Sequence, residues 1–182
     1  MDKKYMIGMF SVLVLAMFVV GFNIGNVGDN LVGDGLNYHS SVCPSLKRAG
    51  SDEWVSFDCE ENTVTNNGLN YVKDCIGNGG TNDINTLALG KTTAPAVGET
   101  ALAGLWATCG LTKAVATYNS NGDGNWSQAY TWTSSCDDSV VNTTALYKAA
   151  TVEGMFAGGA LSAPTTLQTN DKLQINYTTW VS

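Results

Sequence analysis

The chain opens on an apolar block and closes on a strict alternation, and these two patterns predict the outermost elements. Tyr5 to Phe22 is an uncharged, mostly apolar run of eighteen residues, preceded by Lys3 and Lys4 and followed by no charge until Asp29. As a helix it would measure roughly 27 Å, close to the thickness of a bilayer core. At the other end, Leu173, Ile175, Tyr177, Thr179 and Val181 alternate with Gln174, Asn176, Thr178 and Trp180. A two-residue period of that length predicts a half-buried antiparallel strand.

Between them the period changes twice. Over Asn67 to Ile76, Leu69, Val72, Cys75 and Ile76 recur at three- and four-residue spacing and Gly77 follows, which predicts a short helix with Cys75 on its buried face. From Leu111 to Tyr118 a strand is expected to enter the turn Asn119 to Gly124 and return over Asn125 to Thr133, with Trp126, Tyr130 and Trp132 on one face. Another strand is expected over Ser139 to Tyr147, and one near Trp54, Val55 and Phe57. The fold class expected is therefore mainly β: an antiparallel β-sandwich with one short helix, preceded by an N-terminal hydrophobic helix. The chain divides into a hydrophobic anchor, assembly helix or signal segment (1–22), a Gly/Asn-rich stalk (23–42) and a disulfide-containing sandwich (43–182).

The apolar run has two readings. A secretory signal wants a shorter apolar region and a small-x-small cleavage site, which Val19, Val20 and Gly21 fit poorly. An uncleaved anchor fits the length, with Lys3 and Lys4 holding the N-terminus inside and residues 5–22 in contact with membrane lipid or with other copies of themselves. A pilin-type leader cut after Gly8 is a third option, although Ile7 stands where a basic residue belongs. All three place the remainder outside the membrane.

Composition sharpens this. Only 14% of residues are charged, and the net charge of −7 with no Lys/Arg run longer than Lys47-Arg48 excludes phosphate-backbone binding as a main role. Cys43, Cys59, Cys75, Cys109 and Cys136 contain no C-x-x-C spacing and no metal-ligand pattern, so disulfides in an oxidising compartment are expected. Several pairings are open; the preferred one joins Cys109 to Cys136 across the hairpin and Cys43 to Cys59, leaving Cys75 as a small core thiol.

Chemistry-bearing residues are sparse. His39, the only histidine, falls in the stalk, and Glu60, Glu61, Glu99, Asp123, Asp137, Asp138 and Glu153 form no recognisable acid/base pair. No catalytic, metal or cofactor site is expected. Asn119, Asn121 and Asp123 imitate the start of a calcium loop, but Tyr130 occupies the twelfth position where a bidentate Glu belongs, and a hairpin turn accounts for the same residues. Gly77 to Gly80 follows a helix instead of opening one and lacks the Lys-Ser/Thr tail of a phosphate loop. Three glycosylation sequons begin at Asn125, Asn142 and Asn176.

From Thr65 to Leu102 the wording TNNGLNYVKDCIGNGG, followed by LALGKTTAPAVGETAL, resembles a family of phage and archaeal-virus or archaeal-surface structural proteins. The likeness continues through Ala157 to Leu161 and through Asp171-Lys-Leu-Gln-Ile-Asn-Tyr-Thr-Thr-Trp180, so that it spans residues 62–182. This chain departs from the pattern in its apolar N-terminal segment, in Cys109 and Cys136, and in lacking the second Gly of the loop at Ala88 to Pro95. The resemblance implies a self-assembling or virion-associated role with no catalytic residues to transfer.

These readings converge on a non-enzymatic, exported structural protein at the cell or virion surface, a subunit of a filament, pilus or virion surface structure whose partner is itself. The alternative is a membrane-anchored carbohydrate-binding adhesin that recognises surface glycans, with Trp106, Trp126, Trp132 and Trp180 as stacking platforms, although core or subunit-interface roles account for most of them more simply.

Overall fold

The computed structural model describes residues 38–78, 83–148 and 154–181. The expected N-terminal helix, with most of the expected stalk, lies outside these residues.

Eleven strands and one helix are described: β1 (Tyr38–Lys47), β2 (Val55–Ser56), β3 (Glu60–Glu61), β4 (Thr63–Val64), α1 (Asn66–Asn78), β5 (Thr86–Gly90), β6 (Ala114–Val115), β7 (Thr117–Gly122), β8 (Asn125–Thr133), β9 (Ser139–Tyr147), β10 (Met155–Leu167) and β11 (Lys172–Val181). They form two antiparallel sheets. The first runs β2-β1-β11-β8-β7 with β3 also on β1, and the second runs β4-β10-β9-β5-β6. Val42, Leu46, Trp132, Leu173, Ile175 and Tyr177 of the first sheet share one buried cluster with Leu87, Leu89, Val141, Leu146, Phe156 and Leu167 of the second. The Tyr177 hydroxyl donates to the Thr144 carbonyl at 3.0 Å and ties the sheets across that core. The arrangement fits a β-sandwich.

β11 is buried at Leu173, Ile175, Tyr177 and Thr179, as the alternation predicts. It sits in the middle of its sheet, paired along its length with β1 on one side and β8 on the other. Position in the sheet explains the clean pattern: one face meets the core and the other meets solvent.

β1 corrects the sequence reading. The strand begins at Tyr38 and takes in residues assigned to the stalk, with Ser40, Val42, Pro44 and Leu46 facing inward. Two of those four are small or cyclic, so its inward face carries little hydrophobic signal. His39 therefore lies on a sheet, where its ring stacks on Trp180 with centroids 5.4 Å apart.

The helix also differs. It runs from Asn66 through Gly77 to Asn78, longer than expected at both ends. Thr65 caps it, its hydroxyl accepting from the Gly68 amide at 3.1 Å. Gly68 is the point of closest approach to β10, where an added Cβ would overlap the Phe156 carbonyl. Its packing face is thus rotated toward Gly68, Tyr71 and Val72, while Leu69 is 47% exposed and Cys75 only half-buried. The side chain of Ile76 lies outside the described set.

The expected strand Leu111 to Tyr118 is two strands. β6 pairs with β5 in the second sheet, and β7 pairs with β8 in the first. The chain steps between sheets at Ala116, whose amide donates to the Asn85 carbonyl at 2.7 Å. The hairpin that follows stays paired as far as Gly122 and Asn125, so its loop is only Asp123 and Gly124. Gly122 and Gly124 supply the positive φ angles, +121° and +65°, that this tight reversal needs. Asn119 and Asn121 are consequently strand residues, extended along β7 instead of encircling a centre.

Candidate functional site

The step at Ala116 leaves an opening at one corner of the sheets. β7 carries Tyr118 away from the second sheet, and β8 returns beside it with Trp126 and Gln128 on the same face, in register with Ser120 and Tyr118. Tyr71 of α1 and the segment Asp83–Asn85 leading into β5 close the other side. The result is a groove of about 490 Å³. Gln128 spans its floor: its side-chain amide donates to the Ile84 carbonyl, linking the two sheets. Its side-chain carbonyl oxygen is buried and has no hydrogen-bond partner. Tyr118 stands 59% exposed at the rim.

The polarity of this groove is distinctive. Three aromatic side chains, Tyr71, Tyr118 and Trp126, alternate with the amides of Asn85 and Gln128 and the single carboxylate of Asp83. No described lining residue is basic. Burial and the neighbouring Cys75 push the Tyr71 phenol well above its ordinary pKa, so it stays neutral.

Of the four tryptophans considered as stacking platforms, the structure brings only Trp126 to this groove. Trp132 is 2% exposed and donates its indole N–H to the Thr112 carbonyl at 2.7 Å. Trp106 is buried under Lys91, whose ammonium lies 3.8 Å from its ring centroid. Trp180 is half-buried under His39 on the outer face of the first sheet. Tyr130, expected beside Trp126 and Trp132, packs edge-on to Trp132 at 4.9 Å. Sequence reasoning missed Tyr71, Tyr118, Asn85 and Gln128, which come from separate segments and meet only because the chain changes sheets.

The cysteines are joined as Cys43–Cys59 and Cys109–Cys136, and Cys75 is free. The first bond staples β1 to the chain just before β3. The second closes the base of the β7–β8 hairpin, where Cys109 takes φ of +59° and Gly110 φ of +75° to bring the backbone round.

The acidic residues in loops fasten loops. Asp137 accepts from the Thr169 amide at 2.8 Å and Asp138 from the Gln168 side chain at 2.9 Å, tying the β8–β9 loop to the β10–β11 turn. The Thr169 hydrogen bond holds the Asp137 carboxyl below its ordinary pKa. Glu60 and Glu61 are exposed on β3, Glu99 and Asp123 on loops, and Glu153 lies outside the described residues. Among the sequons, Asn125 begins β8 beside the hairpin loop. Asn142 instead donates its side-chain amide to the Lys91 carbonyl at 2.6 Å. Asn176 is wedged on a central strand between Cys43 and Ala129, with its side-chain oxygen buried, so it is less open than its polar position suggests.

The four sheet edges are unequal. β2 and β3 cover β1, β4 covers β10 and β6 covers β5, and each of these caps is two residues long. β7 is six residues long, exposed at every position and paired only with β8 among the described residues. No family model matches the chain, and no curated protein matches it either.

Proposed function

We propose that this chain is a self-assembling extracellular structural protein, the subunit of a surface filament or pilus or of a virion surface. The observation that carries this reading is the open β7 edge. An uncovered edge strand presents unpaired N–H and C=O groups to another chain, and adding a strand there satisfies them without new side-chain design. Of the outermost strands β7 is the longest, six residues against two for each of the others. Two disulfides support an oxidising, extracellular setting. The uncharged run Tyr5 to Phe22, where it is retained, offers a second contact between copies or with lipid.

Electron microscopy of material from the native source tests the proposal, with intact mass to establish whether the first twenty-odd residues are present. Ordered polymers are expected. Thr117→Lys combined with Asn119→Lys places repelling charges on β7 at exposed positions that do not serve the fold. That variant is expected to fold and to lose polymer. Dispersed monomers in the native material refute self-assembly, and polymers that persist in the double variant refute the β7 edge as its basis.

A further inference from the structure

We propose that the groove between Tyr71, Tyr118 and Trp126 binds a neutral saccharide. This does not rest on the assembly reading, since a monomer and a polymer would both carry the groove.

Charge narrows the ligand first. A groove containing Asp83 and no described basic residue, in a chain of net charge −7, disfavours phosphates, sulfated glycans and sialylated glycans. Shape and polarity narrow it further. A sugar ring has an apolar face of C–H groups and a rim of hydroxyls that donate and accept. Tyr118 and Trp126 offer flat amphipathic faces for the first, and Asn85 and Asp83 offer donors and acceptors for the second. A volume of about 490 Å³ accommodates one or two hexose units and falls in the range of built ligand sites. Asp83 is the acceptor-only group of the lining: a carboxylate takes hydrogen bonds and gives none. A ligand hydroxyl, directly or through a water, would satisfy it.

A proline-rich peptide also uses aromatic-lined grooves, but its backbone offers carbonyls and few donors. The groove's carboxylate, Asp83, is an acceptor, which favours the hydroxyl-rich ligand.

The test is a glycan array of neutral and anionic oligosaccharides probed with the full-length chain in detergent. Alongside it, the tryptophan indole N–H signals are followed by NMR during titration with the methyl glycosides of glucose, galactose, mannose and N-acetylglucosamine. Binding to at least one neutral glycan is expected, together with a shift in the Trp126 indole signal that leaves buried Trp132 in place. Tyr118→Ala, at an exposed position, should weaken binding by about tenfold without changing the melting temperature. Absence of neutral-glycan binding overturns the proposal. So does preference for anionic glycans or proline-rich peptides, or affinity unchanged in Tyr118→Ala. The indole titration uses the unaltered protein and stands even where that variant misfolds.

Discussion

Asp171 offers a sharp test of what holds the ends of the first sheet together. It is 1% exposed, and its carboxylate accepts from the Ala49 amide at 2.8 Å, the Gln168 amide at 2.9 Å and the Arg48 guanidinium at 2.6 Å. One side chain therefore joins the loop after β1 to the β10–β11 turn. Burial disfavours its charge, but the two backbone amides and Arg48 outweigh that and hold its pKa below the ordinary value. Asp171→Asn keeps the shape yet turns an N–H₂ toward at least one of these donors. With charge-assisted bonds contributing about 1.5–3 kcal/mol each, the loss should be about 3 kcal/mol. The Arg48 side chain is 52% exposed, so Arg48→Met, which removes that screened partner together with the guanidinium's bond to the Thr166 carbonyl at 2.9 Å, should cost about 1 kcal/mol. Because the folded pKa is depressed, Asp171 stabilises the fold fully above the unfolded value near 4 and progressively less as pH falls through the folded one. Urea unfolding followed by tryptophan fluorescence, between pH 7 and pH 3, measures both effects. Wild type should lose stability below about pH 4, and Asp171→Asn should lose less over that interval. If Arg48→Met costs as much as Asp171→Asn, the ion pair and not the backbone amides holds the corner, and the reasoning fails.

Three further outcomes are expected. Ile175→Asp, which sets an unpaired carboxylate between the sheets at a position 0% exposed, should prevent folding at a cost of several kcal/mol; normal secretion and an unchanged melting curve would contradict the assigned face. Cys136→Ser opens the Cys109–Cys136 loop and should cost about 3.5 kcal/mol on the chain-entropy account, and thiol titration of denatured, unreduced wild type should find one free thiol per chain, three or more showing a bridge absent. Gly68→Ala should destabilise by about 1–3 kcal/mol, because its Cβ meets the backbone of Phe156 and neither element can easily give way; an unchanged urea midpoint would show that α1 does not pack there as closely as described.

Elements were legible in the sequence where one face meets solvent and the other meets core. β11 satisfies that condition and its alternation carries through to the structure, whereas β8 buries Ser127 and Gln128 in succession and leaves Tyr130 exposed beside buried Trp132. β5 is buried at all five positions and gives no alternation, because a long connection covers the outer face of its sheet. Leu102 from that connection joins Ala88, Ala145, Tyr147 and Met155 in a second cluster, with its amide held by the Tyr147 hydroxyl at 2.7 Å. β1 was obscured because Ser40 and Pro44 occupy inward positions. The Thr-Asn-x-Gly wording, noticed only as a resemblance, has a physical basis in the Thr65 cap and the close approach at Gly68. The groove was the least legible feature. Trp126 carried a signal through its place beside the hairpin, but Tyr71, Asn85 and Gln128 are ordinary in their local sequence. No periodicity marks a residue that matters because Ala116 moves the chain from one sheet to the other.

The two disulfides also determine which parts of the domain would carry tension. A pull entering at Tyr38 travels to Cys43, crosses to Cys59, continues to Cys109 and crosses again to Cys136. Residues 44–58 and 110–135 lie off that line. About 40 residues, or roughly 140 Å of contour, would stay hidden from a stretched chain until a sulfur–sulfur bond broke. The β7–β8 hairpin falls wholly inside the second shortcut, and with it Tyr118, Trp126 and Gln128. Under a load large enough to strip β1 from β11, the strands bearing these three residues would hang beside the stretched backbone, slack and still joined to each other.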